Sequence, residues 1–319
     1  MAGATVAIGL LVLAMVFSAT ALCVVFATRG AMAGNRDIIS VLHLVGAEDR
    51  FIVAEFQSHF LMLGLRGALA GAGAAMLLFM IMGLINGFTP GFELPEPFLS
   101  DLSLRRDLGF AYVDGCARLA SVDWVAGGLE GLGKPDGFLE RQVPRWMAQL
   151  SRYQVRELPG LDTITDWLER NRPTQSPAGI LHGDYSPFNV MVSPDAPGRL
   201  AAIVDWDTGT IGDPVLDIGH LLARWTEPGE EPVLQDQAGG NEGYPTRVEM
   251  AALYAEMTGR DLSALPYYQA LALFKLAAIL EGTFSRQRAA GVPDEQNMMV
   301  ETVPRLLRFA NAFATGERR

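Results

Sequence analysis

The fold is decided by ILHGDYSPFNVMV at Ile180–Val192 and by LAAIVDWDTGTIGDPVLDIGHLLARW at Leu200–Trp225. Both stretches contain short apolar runs bounded by turn residues, a pattern typical of buried strands. We predict three strands, at Ile180–His182, Val190–Val192 and Leu200–Val204. Only a short turn separates the last two, so the pattern predicts a small hairpin in a chain that is otherwise rich in helical periodicity.

Three oxygen-bearing side chains stand at the ends of these predicted strands. Asp184 follows the first strand, Asn189 opens the second, and Asp205 ends the third. Phosphoryl transfer needs a carboxylate to orient the attacking hydroxyl and hard oxygen ligands to hold Mg²⁺. A single aspartate at a strand end more often forms a turn or caps a helix. The ordered set HGDx₄N, IVDW and GDPxxD favours a phosphoryl-transfer site over separate turn or cap residues. It predicts that the three side chains face a common cleft.

The same stretches carry a resemblance to a known family. An aspartate followed five residues later by an asparagine is the spacing of the protein-kinase catalytic loop. His-Gly-Asp replaces His-Arg-Asp here, and Asp205-Trp206 replaces Asp-Phe-Gly. Together with GDPVLDIGHLL at Gly212–Leu222, the chain resembles the aminoglycoside phosphotransferase and choline kinase-like family from about residue 87 to its C-terminus.

The resemblance implies a role for each residue of the candidate site. Asp184 would be the catalytic base, and Asn189 and Asp205 would bind Mg²⁺ and, through the metal, the phosphates of ATP. His182 and Asp217 would support the site structurally. The implied cofactors are Mg²⁺ and ATP, the implied partner is a small-molecule hydroxyl acceptor, and lobes of this family are cytoplasmic.

The predicted fold class is mainly α with a small β hairpin (α+β), arranged as a kinase-like C-lobe over residues 87–319. Ser100 can cap a helix predicted over Asp101–Trp124, and Pro214 stands where it favours a helix start. The other helical patterns lie at Phe138–Arg152, Asp162–Arg170, Pro214–Trp225, Val248–Met257, Tyr267–Arg288 and Glu295–Ala314.

Residues 1–86 are predicted to form a separate membrane segment. Apolar runs at about 4–28 and 60–85 are long enough to cross a hydrocarbon core about 30 Å thick, and an amphipathic segment at 29–59 lies between them. We therefore expect two transmembrane helices before the kinase-like lobe, and a place in the inner (plasma) membrane. Over residues 4–84 the sequence resembles the C-terminal half of FtsX-type cell-division permeases. The resemblance implies a cytosolic ATPase partner contacted through residues 35–56.

Charge and lysine content limit the possible functions. The net charge of −11 is carried entirely by the part after Pro90 and excludes a general nucleic-acid binder. Kinases hold the α- and β-phosphates of ATP with a lysine in an N-terminal lobe. No lysine precedes Lys134, so we predict that this ATP lobe is absent and that transfer is impaired. The alternatives are a non-enzymatic FtsX-like membrane protein that binds an ATPase, and an accidental or artificial gene fusion.

Overall fold

The structure is a computed structural model that describes residues 89–90, 98, 100–193, 198–234 and 242–318. They belong to the unit Gly83–Arg319, one of two units into which the chain divides. The described helices are α1 Leu102–Ala120, α2 Gln142–Leu150, α3 Leu161–Arg170, α4 Val215–Ala223, α5 Arg247–Thr258, α6 Leu265–Ala289 and α7 Met299–Thr315. The strands are β1 Thr89–Pro90, β2 Gly179–Leu181, β3 Val190–Val192, β4 Leu200–Ile203 and β5 Thr210–Gly212. Short 3-10 helices lie at Glu130–Leu132, Leu139–Arg141, Pro187–Asn189, Trp206–Thr208 and Asp294–Gln296.

Local side chains explain where the helices begin. The N-cap of α1 is Asp101 rather than Ser100, because the Asp101 carboxylate accepts a hydrogen bond of 2.8 Å from the backbone N–H of Ser103. This helix ends at Ala120, four residues before the predicted end. Helix α5 begins with a capping box in which Thr246 and Glu249 satisfy each other's backbone N–H groups.

Two small antiparallel sheets flank the catalytic motifs. In the first, β3 pairs with β1 on one side and with β4 on the other, and Val190 lies opposite Ile203. In the second, β2 pairs with β5, and Ile180 lies opposite Ile211. The three predicted strands are present; the first lies one residue earlier than predicted, and the third ends one residue earlier. The pairings bring the loop after β2, the start of β3 and the loop after β4 to one region of the fold.

The core is organised around α6. This helix packs against α7, α4, α2 and α3, and its buried side chains include Leu271 and Phe274, which are fully shielded from solvent. Each such large apolar side chain contributes roughly 1.5–3 kcal/mol by leaving water. Side chains of α4 and α6 contact the loop His182–Asp184, called the HGD loop below. The core therefore also forms the floor of the candidate site.

The prediction of two transmembrane helices is corrected by the structure. Among the described helices, none has both the length and the apolar composition needed to cross a membrane. The longest of them, α6, spans 25 residues but carries Lys275 and Glu281 and is buried by other helices. The fold class with two membrane helices is therefore wrong, as is the inner-membrane localisation that followed from it. The stretches behind both predictions, about 4–28, 29–59 and 60–85, lie outside the described residues.

Candidate active site

The HGD loop is held from below by Asp217 in the first turn of α4. Its carboxylate accepts hydrogen bonds from the backbone N–H groups of His182, at 2.5 Å, and Gly183, at 2.7 Å. Gly183 has a φ of 82°, and a Cβ there would lie 2.7 Å from the carbonyl oxygen of Thr208, so no other residue fits. Burial raises the pKa of Asp217 to about 6, although both N–H donors and the nearby Lys275 oppose the shift.

His182 connects the HGD loop to the loop after β4. Its Nε2–H donates to the carbonyl oxygen of Val204 at 2.8 Å. The bare Nδ1 of the same tautomer accepts from the backbone N–H of Asp184 at 3.3 Å. The imidazole is completely buried, and the Trp206 ring packs against it edge to face. His182 therefore acts as a spacer that fixes the distance between the two loops.

Asp184 has one oxygen facing the protein and one facing Asn189. The Asn189 side chain donates to Asp184 Oδ2 at 3.1 Å and to the Asp184 carbonyl oxygen at 2.8 Å. The buried Oδ1 lies 3.3 Å from His220 Nε2 and 3.9 Å from Arg224 Nη1. Burial opposes ionisation of Asp184, but the charges of Arg224 and Lys275 and the hydrogen bond from Asn189 favour it, and the pKa of the carboxyl is held below its usual value.

The His220 imidazole stays neutral near Asp184. Burial lowers its pKa to about 3, and the nearby Asp184 only partly opposes this. The His220 Nε2 and Asp184 Oδ1 atoms face each other without an aligned hydrogen bond, and neither has another hydrogen-bond partner among the described residues. The inner oxygen of the candidate base is therefore buried beside polar groups, while two-fifths of its side chain is exposed.

Asp205 is joined to the site through the backbone. The N–H of Val204 donates to the Asn189 carbonyl oxygen at 2.9 Å. This hydrogen bond brings the backbone just before Asp205 next to Asn189. Asp205 is exposed, and it is the one residue other than glycine with a positive φ, 62°, in the described part of the chain. The structure thus brings Asp184 and Asn189 into direct contact and Asp205 into the adjoining loop. No group of three or more His, Cys, Asp or Glu side chains poised for a metal is found among the described residues.

A cavity of about 310 Å³ opens beside Asp184 and Asn189. Its polar lining includes Arg224 and Ser186, and the buried Ser186 hydroxyl has no hydrogen-bond partner in the part of the chain that the structure describes. The remaining wall is largely apolar and comes mainly from α6, α7 and the residue before α7. The apolar residues are Phe188, Leu234, Leu276, Leu280, Met298 and Met299.

The family model for the phosphotransferase enzyme family matches residues 94–253. The chain belongs to this family. The mouse acyl-CoA dehydrogenase family member 10 is 28% identical over 240 residues, 72% of this chain and 22% of that protein. The human acyl-CoA dehydrogenase family member 11 is 29% identical over 216 residues, 66% of this chain and 27% of that protein. This phosphotransferase-family chain therefore spans about a quarter of the length of the curated relatives it matches.

The phosphotransferase fold is also seen in a related crystal structure. A protein from Ralstonia eutropha assigned as an aminoglycoside phosphotransferase superposes with a TM-score of 0.60 and 28% sequence identity, over 68% of this chain and 67% of that one. None of the comparisons supports the FtsX-like segment predicted at residues 1–86.

Sequence reasoning missed two residues of this phosphotransferase-family site, His220 and Arg224. His220 lies on α4, three residues after Asp217, and Arg224, seven residues after Asp217, is the C-cap of that helix, so both follow the helical face of Asp217. Their spacing from Asp217 was the available signal. It could not show that this face points at the HGD loop rather than at the core.

The strained backbone of Asp205 leads to a stability prediction. Replacing Asp205 with glycine is expected to raise the free energy of unfolding by up to about 1 kcal/mol, because glycine adopts a positive φ without steric cost. Urea unfolding followed by circular dichroism measures the change. Asp207→Gly is the matched control, since Asp207 lies in the short helix Trp206–Thr208 and should lose stability instead. A destabilised Asp205→Gly variant would show that the Asp205 side chain holds its loop in place.

Proposed function

We propose that this protein transfers the γ-phosphoryl group of Mg·ATP to the hydroxyl of a small molecule. The observation that carries the proposal is the direct contact of Asp184 with Asn189 at the edge of a cavity large enough for a small acceptor. Asp184 is the catalytic base. Its lowered pKa keeps it ionised at neutral pH and able to take the proton of the acceptor hydroxyl as the new oxygen–phosphorus bond forms and the bond to ADP breaks.

Asn189 and Asp205 are the proposed Mg²⁺ ligands, and their donor atoms fit that ion. Both donating contacts of the Asn189 amide group are made to Asp184, which leaves the amide oxygen directed away from the base. Amide and carboxylate oxygens are the hard ligands that Mg²⁺ prefers. Bound there, the ion would neutralise charge on the phosphates. The supporting roles of His182 and Asp217 rest on their hydrogen bonds to the loop around Asp184.

The cavity wall supports an acceptor with an apolar portion. Six of its residues are large and apolar, and its lining includes the cation Arg224, 3.9 Å from the base, whose charge disfavours a positively charged acceptor. An amino sugar would bring several positive charges to this wall. An alcohol with an aliphatic segment would bury that segment against Leu276 and Leu280 and present its hydroxyl to Asp184.

Turnover by the chain alone is expected to be slow. Kinases generally turn over about 1–100 times per second, and they use a lysine to hold the α- and β-phosphates. Within the 319 residues no lysine precedes Lys134, and the second lysine, Lys275, is buried beneath the HGD loop. Catalysis of this kind depends mostly on positioning, so we propose that this chain holds the nucleotide weakly.

The test is transfer of radiolabelled γ-phosphate to a panel of aliphatic alcohols of increasing chain length, amino sugars, choline-like alcohols and sugars. We expect Mg²⁺-dependent product with the aliphatic alcohols, and each added methylene should lower KM about fourfold until the cavity is full. Reactions without Mg²⁺ are the control. Absence of Mg²⁺-dependent product with every acceptor would contradict the proposed function. A preference for amino sugars would contradict only the proposed acceptor.

No function is proposed for residues 1–86, because they lie outside the family match and outside the described residues. The ATPase partner predicted from residues 35–56 stays a prediction.

A further inference from the structure

Lys275 is a buried cation that no motif explains. It lies in the middle of α6, and only 7% of the residue is exposed. Its ammonium donates a hydrogen bond to the carbonyl oxygen of Gly183 and lies 5.4 Å from the centre of the Trp146 ring. A buried lysine is costly unless its charge is compensated, so the position calls for a physical reason.

That reason lies in the peptide group between Gly183 and Asp184. Its carbonyl oxygen accepts from Lys275, and its N–H donates to Nδ1 of His182 at 3.3 Å. The preceding peptide N–H, that of Gly183, donates to Asp217 at 2.7 Å. Both polar atoms of the peptide that carries the proposed base are therefore held by side chains from other parts of the loop and the core.

The charge of Lys275 also matches its surroundings. Burial and the repulsion of Arg145 lower the pKa of Lys275, while Asp217 and Asp184 oppose that shift and favour the charged ammonium. Lys275 is thus a cation of α6 whose charge acts on both Asp184 and Asp217. A neutral side chain of the same size could fill this space but could not compensate two carboxylates.

We propose, building on the function proposed above, that Lys275 is a positioning residue that holds the Gly183–Asp184 peptide plane and so aims the Asp184 carboxylate at the acceptor hydroxyl. Lys275 does not touch the reacting atoms. Its loss should allow the peptide to turn while the pocket and the nucleotide-binding residues stay in place.

The experiment compares Lys275→Met and Lys275→Arg with Gln269→Met, in the full chain. Gln269 is a buried polar residue of the same helix with 2% exposure, so its replacement controls for a methionine in the α6 core. Lys275→Met should lower kcat roughly 10- to 100-fold with KM values within threefold, because a displacement of about 1 Å at the base costs that much. Lys275→Arg should recover most of the loss, since it restores the cation and a donor.

Amide hydrogen exchange of the peptide covering residues 180–190 provides a readout that needs no turnover. Lys275→Met should speed exchange there about tenfold, as expected for the loss of one buried hydrogen bond, and Gln269→Met should leave it unchanged. If the proposed function fails and no acceptor is phosphorylated, this arm still tests the positioning role. If Lys275→Met does not fold, Lys275→Leu, which also removes both the donor and the charge, takes its place.

Unchanged exchange at residues 180–190 in a folded, neutral Lys275 variant would overturn the proposal. So would a rise in KM without a fall in kcat, or an equal effect of Gln269→Met, since either would show that Lys275 only fills space in the core.

Discussion

Asp184→Asn is expected to lower kcat for phosphoryl transfer by about 10²–10⁴-fold, the range that a positioned general base contributes. Asparagine preserves the size and planar shape of the side chain, so the contact with Asn189 and the packing near His220 and Arg224 can persist. It cannot accept the acceptor proton, because an amide is not basic at neutral pH. Radiolabel transfer to the best acceptor of the panel measures the change.

The matched control for this substitution is Asp162→Asn. Asp162 is an exposed aspartate in the first turn of α3, remote in sequence from the motifs, and the chemical change is the same. Its kcat should stay within twofold of the wild type. If Asp184→Asn kept a third or more of the wild-type turnover, Asp184 would not be the base, and the activity would have to be assigned to another residue.

The second large effect concerns the ion pair between Arg156 and Glu281. The Glu281 side chain is fully buried in α6 and accepts from Arg156 Nη2 at 2.7 Å and from its Nε at 3.1 Å. The same guanidinium donates to the carbonyl oxygens of Met299, at 2.9 Å, and Val300, at 3.1 Å, and lies 3.7 Å from the centre of the Phe284 ring. Arg156 therefore joins α6 to the start of α7.

Arg156→Met is expected to lower the free energy of unfolding by about 3–5 kcal/mol, because it leaves a buried charge and two carbonyl groups without their donor. Chemical denaturation at pH 7 measures the change. The double variant Arg156→Met with Glu281→Leu should recover a large part of it, since the uncompensated charge is then removed as well. A loss below 1 kcal/mol would show that water or another cation replaces Arg156.

Much of the candidate site follows from sequence alone because its parts are close in the chain. Asp184 and Asn189 are five residues apart in one loop, so a short turn is enough to bring their side chains together. The strands around them were predictable because brief apolar runs between turn residues have few other solutions. The motif order from His182 to Asp217 indicated the family, and the family match supports that interpretation.

Contacts between distant parts of the chain were decided by the tertiary structure. Lys275 reaches Gly183 across 92 residues, and Arg156 reaches Glu281 across 125. Such contacts depend on how α6 is rotated and how it crosses α2, α4 and α7, and the sequence pattern gives only the apolar face of each helix. The apolar cavity beside Asp184 has the same origin, because its wall combines α6, α7 and the HGD loop region.

The transmembrane prediction rested on the length and composition of the apolar runs at about 4–28 and 60–85. Those properties describe a segment by itself, and none of the described helices has the length and apolar composition needed to cross a membrane. The sequence by itself determined the local chemistry of the loop, since neighbours in the chain cannot move far apart. Only the tertiary structure decided which distant side chains surround that loop, because helix packing sets their positions.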